Sequence, residues 1–421
     1  MKVIVERAAG LDIQKSITAC VRTPAPGGGR AEAVRTFPAF LDGFLALRGW
    51  LESEGVEAVA MEATGSYWLA PWRVLEAGEA EGGRPFALLL CNARHIKHVP
   101  GRKTDVKDAQ WICQLLECGL LTASLVPSPE IRHLREMTRY RKKLTANRTA
   151  EIQRTEKTLE DAVIKLGAVA SSTMTVSGRK MIEALIAGER DPEVLAELAL
   201  GRMRGKLPEL VRALDGRFGQ EHAARLRPKL DHIDWLTDTL SDLDDQIQTL
   251  TEDWAEVIKR LQTIPGVGLR TAQMIVAETG GDMTPFPTSG HLASWVGLCP
   301  GHHESGGKQR SGRTRAGNPW LRAALIEAAW AAARSQGTYL AAKFRRVAGP
   351  RPDAKRKARG AVAVAHKIII AAYHIMSTPG QTYEELGPEW LARSDQPERR
   401  KQRLVRRLKQ LGYDVNLTPA T

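Results

Sequence analysis

The stretch from Gly101 to Leu116, GRKTDVKDAQWICQLL, places two carboxylates three residues apart where a helix should begin. Asp105 and Asp108 would share one face of that helix, with Thr104 before them as its N-cap. An apolar stripe at helical spacing follows, formed by Ala109, Trp111, Ile112, Leu115 and Leu116. The stripe predicts that the helix packs against a sheet while its first turn stays open.

Two further carboxylates stand at the ends of predicted strands. The run from Ala8 to Asp12, AAGLD, is followed by a turn at Gln14-Lys15, and the run from Glu57 to Glu62, EAVAME, also ends in an acid. Four acids at one sheet edge would repel one another, so divalent cations are the expected counterions, and oxygen ligands favour Mg²⁺ or Mn²⁺. Two such ions about 4 Å apart are the usual means of cleaving phosphodiesters. An isolated Asp-x-x-Asp, by contrast, is also typical of an ordinary helix start.

Three blocks of the sequence, taken together, resemble a known family. They are GLD at Gly10 to Asp12, EATGSYW at Glu62 to Trp68 and KTDVKDA at Lys103 to Ala109, and they look like those of the DEDD insertion-sequence transposases, the one-ten family, also called bridge-RNA-guided recombinases. The resemblance implies an α/β RNase H-like, RuvC-type nuclease domain over residues 1–125. Its catalytic, metal-binding acids would be Asp12, Glu62, Asp105 and Asp108.

Apolar patterning in residues 1–125 independently predicts an α/β domain whose early strands form a meander within a mixed sheet. Strands are expected near 7–12, 16–22, 33–37, 57–62 and 87–91, and helices near 40–53, 66–77 and 104–118. The segment before the acidic helix carries Arg94, Lys97, Arg102 and Lys103. These residues form either a solvated loop or a cradle for backbone phosphates near the metals.

Residues 126–260 predict a long helical, coiled-coil arm. Arg132 to Leu166 is charged and helical, and Leu236 to Val257 alternates apolar spacings of four and three. Short helices should lie between them, with a break at Pro228. We expect the long helices to pack on each other and on a second subunit, giving a dimer or tetramer. A hairpin within one chain is the alternative.

Residues 261–378 predict a mainly α C-terminal domain that begins with a helix-hairpin-helix element. Leu261 to Glu278 reads LQTIPGVGLRTAQMIVAE. Gly266 and Gly268 would permit a tight turn whose backbone N–H groups meet a phosphate. A helix corner that serves only packing is the alternative.

The segments HLASWVGLCP, GHHESGGKQRSG and RTRAGNPWLRAALIEAAW, from His291 onward, resemble the C-terminal block of the same transposases. The resemblance implies that Ser305 is a nucleophile that becomes covalently attached to DNA, although spacing alone would make it an ordinary loop serine. A serine hydroxyl needs a base, a metal or electrostatic help. Basic residues that can hold the scissile phosphate follow it, namely Lys308, Arg310, Arg313 and Arg315. His302 and His303 lack further ligands at zinc spacing.

Beyond this block, we expect a basic linker from Phe344 to Arg359 and a packed helix from Ala361 to Met376. The last segment, 379–421, is predicted to be a basic tail. Within it, Glu398 to Leu411 is amphipathic and suits a nucleic-acid surface better than a membrane.

The charge balance favours a polyanionic partner. Sixty-one Lys and Arg residues against 48 Asp and Glu give a net charge of +13 and a pI near 9.6, which is typical of nucleic-acid binding. The longest apolar stretch is too short for a membrane span and the N-terminus has no signal-peptide pattern, so a cytoplasmic, nucleoid-associated protein without a membrane partner is expected. The five cysteines form no CxxC pair, so neither a disulfide framework nor a zinc site is predicted.

The combined prediction is an insertion-sequence transposase or recombinase that cuts and rejoins donor and target DNA through the Mg²⁺-binding acidic tetrad and Ser305. The resemblance further implies a structured bridge RNA encoded by the element and an active site assembled from two subunits. Two alternatives remain at this point. One is a RuvC-type junction-resolving endonuclease with water as nucleophile, and the other is a non-catalytic structural DNA-binding protein.

Overall fold

The chain divides into two compact units, Met1–Val126 and Pro127–Thr421. The computed structural model describes residues 2–63, 65–77, 86–92, 96, 104–301, 304–309, 312–390, 397–410, 412–415 and 417. The predicted site residues that lie outside the described residues are Arg94, Lys97, Arg102, Lys103 and Arg310, together with His302 and His303. Ser305 and Lys308 are described through their backbone.

The first unit is built on a five-stranded mixed sheet with the order β3-β2-β1-β4-β5. Its strands are β1 (Ala8–Ile13), β2 (Ser16–Pro24), β3 (Arg30–Pro38), β4 (Ala58–Glu62) and β5 (Ala87–Cys91). The first three form an antiparallel meander, while β4 runs parallel to both β1 and β5. This confirms the predicted mixed sheet, and the topology is compatible with an RNase H-like fold.

Helices cover both faces of this sheet: α1 (Leu41–Ser53), α2 (Leu69–Ala77) and α3 (Asp105–Glu117). Leu47 and Leu51 of α1 pack with Leu11 on one face, and α3 packs with Ala8 on the other. The predicted N-cap is confirmed, because the Thr104 hydroxyl accepts a hydrogen bond from the Lys107 N–H at 3.3 Å. Of the predicted stripe, Ala109, Ile112 and Leu116 are buried, and Trp111 and Leu115 are partly buried.

The described part of the second unit is helical apart from one small hairpin. Its first helices are α4 (Pro129–Asp161), α5 (Leu166–Val169), α6 (Val176–Ala187), α7 (Pro192–Glu197), α8 (Leu207–Leu214), α9 (Gln220–Leu250) and α10 (Ala255–Leu261), with 3₁₀ turns at Gly201–Lys206 and Glu252–Trp254. Then follow α11 (Leu269–Thr279), α12 (Ser289–Val296), the strands β6 (Glu304–Ser305) and β7 (Lys308–Gln309), α13 (Pro319–Arg334), α14 (Tyr339–Ala348), α15 (Ala354–Ser377) and α16 (Pro397–Gln410). The four-part division at residues 125, 260 and 378 stays a prediction.

The long helices α4 and α9 pack on each other within the chain. Leu144 of α4 forms a buried cluster with Leu236 and Leu243 of α9. The predicted seam is shorter than its sequence pattern, because α9 ends at Leu250, where the Thr251 hydroxyl donates to the Ile247 carbonyl. Trp254 and Val257, the last two apolar positions of the predicted seam, therefore lie beyond the end of α9. Contact with a second subunit stays a prediction.

Two expected breaks were wrong. Pro228 lies inside α9 rather than before it. The predicted basic linker from Phe344 to Arg359 is mostly helical: α14 continues to Ala348 and α15 begins at Ala354. The start of α15 is stabilised because the Asp353 carboxylate accepts the Arg356 N–H at 2.7 Å. Charged side chains favour solvent, but Lys and Arg are good helix formers, so a basic run need not be a loop.

Among the described helices, α15 is long and apolar enough by composition to cross a membrane, and 44% of its most apolar window is buried inside the protein. Core helices pass the same test. Val364, Ile368 and Ile369 are fully buried, so α15 is a core helix of this unit, and the predicted packed helix is confirmed.

Candidate active site

Strand alternation delivers two of the predicted acids to one face of the sheet. On β1, Ala9 and Leu11 belong to the core under α1, whereas Ala8 faces α3. Because successive side chains point to opposite faces, Asp12 lies on the α3 side. The same alternation on β4 gives that side to Glu62. The last residues paired between the parallel strands β1 and β4 are Leu11 and Met61. Asp12 and Glu62 are the next residue on each strand, so the two acids lie side by side at the end of this pairing.

The other two acids reach this place because β1 has a glycine at the crossing point. A Cβ at Gly10 would overlap the Ala109 carbonyl oxygen and the Cys113 nitrogen. A strand without a side chain here lets α3 lie directly on the sheet. Asp105 and Asp108 in the first turn of α3 are thereby brought to the strand end that carries Asp12. The close approach gives the Gly-Leu-Asp block a physical role.

Gln14 connects two of these carboxylates. Its side-chain N–H group donates to Asp12 Oδ2 at 3.1 Å and to Asp105 Oδ1 at 3.2 Å. Burial, Asp105, and then Asp108 and Glu62 raise the pKa of Asp12 to about 6, whereas the hydrogen bond from Gln14 lowers it. All three other acids therefore act on Asp12. The sequence predicts Gln14 only as a turn residue, because its contact with Asp105 joins segments 91 residues apart.

The acids come close without converging on a single point. In the part of the chain that the structure describes, no three Asp, Glu, His or Cys side chains are arranged tightly enough to hold a metal ion. The donor set nevertheless suits Mg²⁺ or Mn²⁺, since it consists of hard carboxylate oxygens. The Gln14 side-chain nitrogen contacts both Asp12 and Asp105, so a cation at the same place would interact with both carboxylates. The chemistry of the donors therefore fits a divalent cation, while the described side chains are not drawn together around one.

The predicted serine lies in a small hairpin of the second unit. Strands β6 and β7 pair Ser305 with Lys308 across Gly306-Gly307. Both glycines have positive φ, +58° and +71°, as the central residues of a type I′ turn require. Ser305 therefore occupies the strand position directly before a tight turn, opposite Lys308 in the register.

A second stretch of antiparallel pairing forms a stem below this hairpin. Pro300 bridges to Thr314, and the Gly301 N–H donates to the Arg313 carbonyl at 2.9 Å. At the base of the stem, Gly297 has φ +82°, and a Cβ at Gly317 would overlap the Gly297 and Trp295 backbone. The two ends of the loop can meet only because both positions lack side chains.

The predicted phosphate-binding residues of this unit have different surroundings. Arg313 and Arg315 are exposed on the stem. Gly266 has φ +87°, and a Cβ there would overlap the α13 backbone at Ala328, so this glycine serves helix packing. At Gly268, by contrast, no atom of the described residues other than the glycine and its chain neighbours lies within 4 Å of a Cβ position. The open part of the turn is therefore at Gly268, directly before α11.

Comparison with known proteins identifies the family. A model of the DEDD transposases of IS110 elements matches residues 9–164, and a model described as the transposase IS116/IS110/IS902 family matches residues 258–345. The first match contains the four acids and the second contains Ser305. The chain belongs to the IS110 family of DEDD transposases. As such it is a DNA transposase or recombinase by enzyme class.

Individual relatives agree with this assignment of the IS110-family transposase. A probable family 20 transposase of Pseudomonas aeruginosa is 29% identical over 66% of this chain and 71% of the relative. The transposase for insertion sequence element IS1111A of Coxiella burnetii is 26% identical over 66% of each chain. A pilin gene-inverting protein of Moraxella bovis is 39% identical over 18% of this chain and 24% of its own length.

Proposed function

We propose that this IS110-family transposase cuts and rejoins DNA with the acidic site of its first unit and Ser305 of its second. The nucleic acids would be donor and target DNA, paired through a structured bridge RNA. The first unit would act as an RNase H-like, RuvC-type nuclease domain. The observation that carries this proposal is the clustering of Asp12 with Asp105, Asp108 and Glu62 on one face of a sheet.

Mg²⁺ or Mn²⁺ is the proposed cofactor of the acidic site. Asp12, Glu62, Asp105 and Asp108 would hold it. When bound, the metal would lower the pKa of an attacking hydroxyl and stabilise a leaving oxygen. The protein contributes the fixed sheet edge, the close seat of α3 on Gly10, and the Gln14 amide that keeps Asp12 and Asp105 side by side.

Ser305 is the proposed nucleophile. Its hydroxyl would lose its proton as the oxygen bonds to phosphorus, and the bond from phosphorus to one deoxyribose oxygen would break, with that oxygen taking a proton. The covalent link stores the energy of the broken bond, so a hydroxyl of another strand can reverse the step and form the recombinant. Lys308, Arg310, Arg313 and Arg315 would offset the charge on the phosphate.

The polyanionic partners suit the charge of the chain. Arg94, Lys97, Arg102 and Lys103 precede the acidic helix and would contact phosphates. The open backbone at Gly268 and Arg313 on the stem would add contacts in the second unit, with Gly266 supporting the turn by packing. A helix-hairpin-helix role for α10 and α11 and a coiled-coil role for α9 belong to this proposal.

We further propose a homo-oligomer, a dimer or tetramer, in which the acidic site of one subunit works with the serine of another. The apolar α4–α9 seam is buried within the chain, so a partner would need a different face. Trp235 of α9 supports this, because 56% of it is exposed and its ring stacks on that of His232, with the two centroids 6.1 Å apart. Aromatic residues of this kind are enriched at interfaces.

The test is covalent capture of DNA by Ser305. Protein carrying its co-purified RNA is incubated with labelled DNA of the element's ends and Mg²⁺, then run on a denaturing gel. We expect a slow, protease-sensitive DNA band for the wild type and for Ser311→Ala, a control within the same glycine-rich loop. Ser305→Ala should bind RNA and DNA normally but form no such band, because it lacks the hydroxyl that is proposed to attack.

Cleavage by Ser305→Ala at close to the wild-type rate would contradict the serine mechanism. It would instead support a junction-resolving nuclease in which water attacks. Sequencing the RNA bound to the purified protein tests the bridge RNA separately. Recovery of a single structured RNA encoded beside the gene is the expected result, and recovery of only random cellular RNA would oppose it.

A further inference from the structure

The segment between α12 and α13, residues 297–317, carries Ser305 and is called the serine loop here. Its base is attached to a buried ionic cluster that no part of the proposed chemistry uses. Asn318 follows the loop directly and is the N-cap of α13. Its side-chain oxygen accepts the N–H groups of Trp320 and Leu321, both at 3.0 Å. Its backbone N–H donates to the Trp295 carbonyl at 3.2 Å. Asn318 therefore fixes the end of the loop to both α12 and α13.

The remaining group of Asn318, its side-chain nitrogen, donates to Glu278 Oε2 at 2.6 Å. Glu278 lies in the apolar helix α11 and its side chain is 0% exposed. A buried carboxylate is costly unless charged and hydrogen-bonding groups surround it. Every contact that Glu278 makes is therefore energetically important, and one of them leads to the serine loop.

The countercharge comes from α4. Arg139 makes a bidentate pair with Glu278, with both N–O distances at 2.7 Å. Arg135 lies 3.6 Å from Oε2 and donates to the carbonyls of Ala277 and Glu278 at 3.1 and 2.8 Å. The fork geometry of arginine restrains orientation as well as distance. The first third of α4 is thus held in a defined position on α11.

Two further contacts extend this attachment to α13. Lys142 pairs with Glu327 at 2.9 Å. The Trp320 ring has the Arg139 guanidinium 5.6 Å and the Lys143 ammonium 5.8 Å from its centroid, within cation–π range. One face of α4 therefore contacts both α11, which carries Glu278, and α13, the helix that follows the loop base.

We propose that Glu278 and Asn318 are positioning residues for Ser305, which couple the orientation of the long helix α4 to the serine loop. This inference rests on the proposed role of Ser305. An N-cap alone does not require asparagine, because serine and aspartate cap equally well. A packing contact alone does not require a buried carboxylate, because apolar residues of similar volume hold helices at least as well. The amide is needed where one residue must cap α13 and donate to Glu278.

The test is a polarity swap. Asn318→Asp keeps the cap but turns the donor into a second carboxylate facing Glu278, and Glu278→Gln removes the carboxylate that Arg139 requires. The double variant restores a donor opposite an acceptor and conserves the total charge. We expect each single variant to form the Ser305–DNA adduct on the order of 10²-fold more slowly, as expected for a misplaced reacting group. The double variant should recover to within about fivefold of the wild type, which is the coupling of residues in contact.

The matched control is Thr338→Ala, which removes the N-cap hydrogen bond of α14 to the Ala341 N–H, 3.2 Å long, in the same unit. It should lose comparable helix stability and keep its adduct rate. DNA and RNA affinities should not change in any variant. Wild-type adduct rates in Asn318→Asp, or a double variant no faster than the singles, would overturn the inference.

A second readout is independent of the serine chemistry. Amide hydrogen exchange follows the N–H groups of Gly301 and Arg315, which donate within the stem to Arg313 and Cys299. Asn318→Asp should accelerate exchange at both, and the double variant should restore protection. If Ser305→Ala still formed the adduct, the proposed nucleophile would fail while this readout still decided whether Asn318 and Glu278 order the loop. Unchanged exchange in Asn318→Asp would reject the positioning role.

Discussion

The carboxylates around Asp12 in the first unit and Glu278 in the second differ in how their charge is balanced. Asp12 lies half-buried among three other acids with one neutral amide between it and Asp105, and its pKa is raised to about 6. Glu278 is completely buried, but two arginines and an asparagine surround it. A protein that needs a carboxylate for structure supplies its countercharge. Carboxylates whose mutual repulsion raises a pKa, as at Asp12, mark a candidate functional site instead.

The largest effect is expected for Asp105→Asn, in the acidic cluster. The amide keeps the shape of the side chain but removes charge that a divalent cation requires. We expect DNA cleavage to fall on the order of 10³-fold or more, the several kcal/mol that a catalytic metal provides. Thermal stability should not fall, because repulsion of Asp12 is relieved. Cleavage assays over a Mg²⁺ series, with melting curves of the same protein, provide the measurement.

Asp42→Asn is the matched control, since Asp42 is also an acid in the first turn of a helix of the same unit, where it accepts the Gly43 N–H at 2.9 Å. Its cleavage rate should equal that of the wild type. Full activity of Asp105→Asn with Mg²⁺ still required would remove Asp105 from the site.

Glu278→Gln should lower the stability of the fold, whereas Asp105→Asn should not. It leaves Arg139 and Arg135 without their carboxylate, and burial together with Arg139 and Arg132 already lowers the pKa of Arg135 against the opposing effect of Glu278. We expect a loss of about 2 to 3 kcal/mol in the free energy of unfolding, the lower end for a broken buried pair because Arg139 is 33% exposed. Urea unfolding measures it. Glu327→Gln, at a side chain 72% exposed, should change stability by less than about 0.5 kcal/mol.

The smallest effect expected is a pH dependence at Asp12. An acid whose pKa is higher in the folded state stabilises the fold below its unfolded pKa, and this stability is lost as the pH rises through the folded pKa. For Asp12 the window runs from 3.8 to about 6. The full difference corresponds to about 3 kcal/mol, and solvent screening at this half-buried site reduces it to about 1 kcal/mol.

In EDTA, Asp12→Asn should therefore match the wild type near pH 4 and exceed its stability near pH 7.5. Added Mg²⁺ should stabilise the wild type more than the variant, because a ligand that binds the folded state raises its stability. Melting curves across this range, with and without Mg²⁺, supply the data. A constant difference between the two proteins at every pH would show that Asp12 titrates as an ordinary surface acid.

Regular elements of the first unit were predictable because their signals are local. Alternation gave all five strands, and the helical stripe after Thr104 gave α3 with its cap. The errors fell where local rules compete with packing. Pro228 is tolerated inside α9, and charge alone could not distinguish a linker from the helical ends of α14 and α15.

At the candidate site, the sequence determined which carboxylates end strands and begin α3, since apolar periodicity fixes which residues share a face. The tertiary structure alone decided that Gly10 admits α3 onto the sheet and that Gln14 reaches both Asp12 and Asp105, 91 residues away. It also decided that Glu278 meets Arg139 across 139 residues. Contacts between distant segments leave no periodic trace in the chain, because they depend on how completed elements pack rather than on the spacing within any one of them.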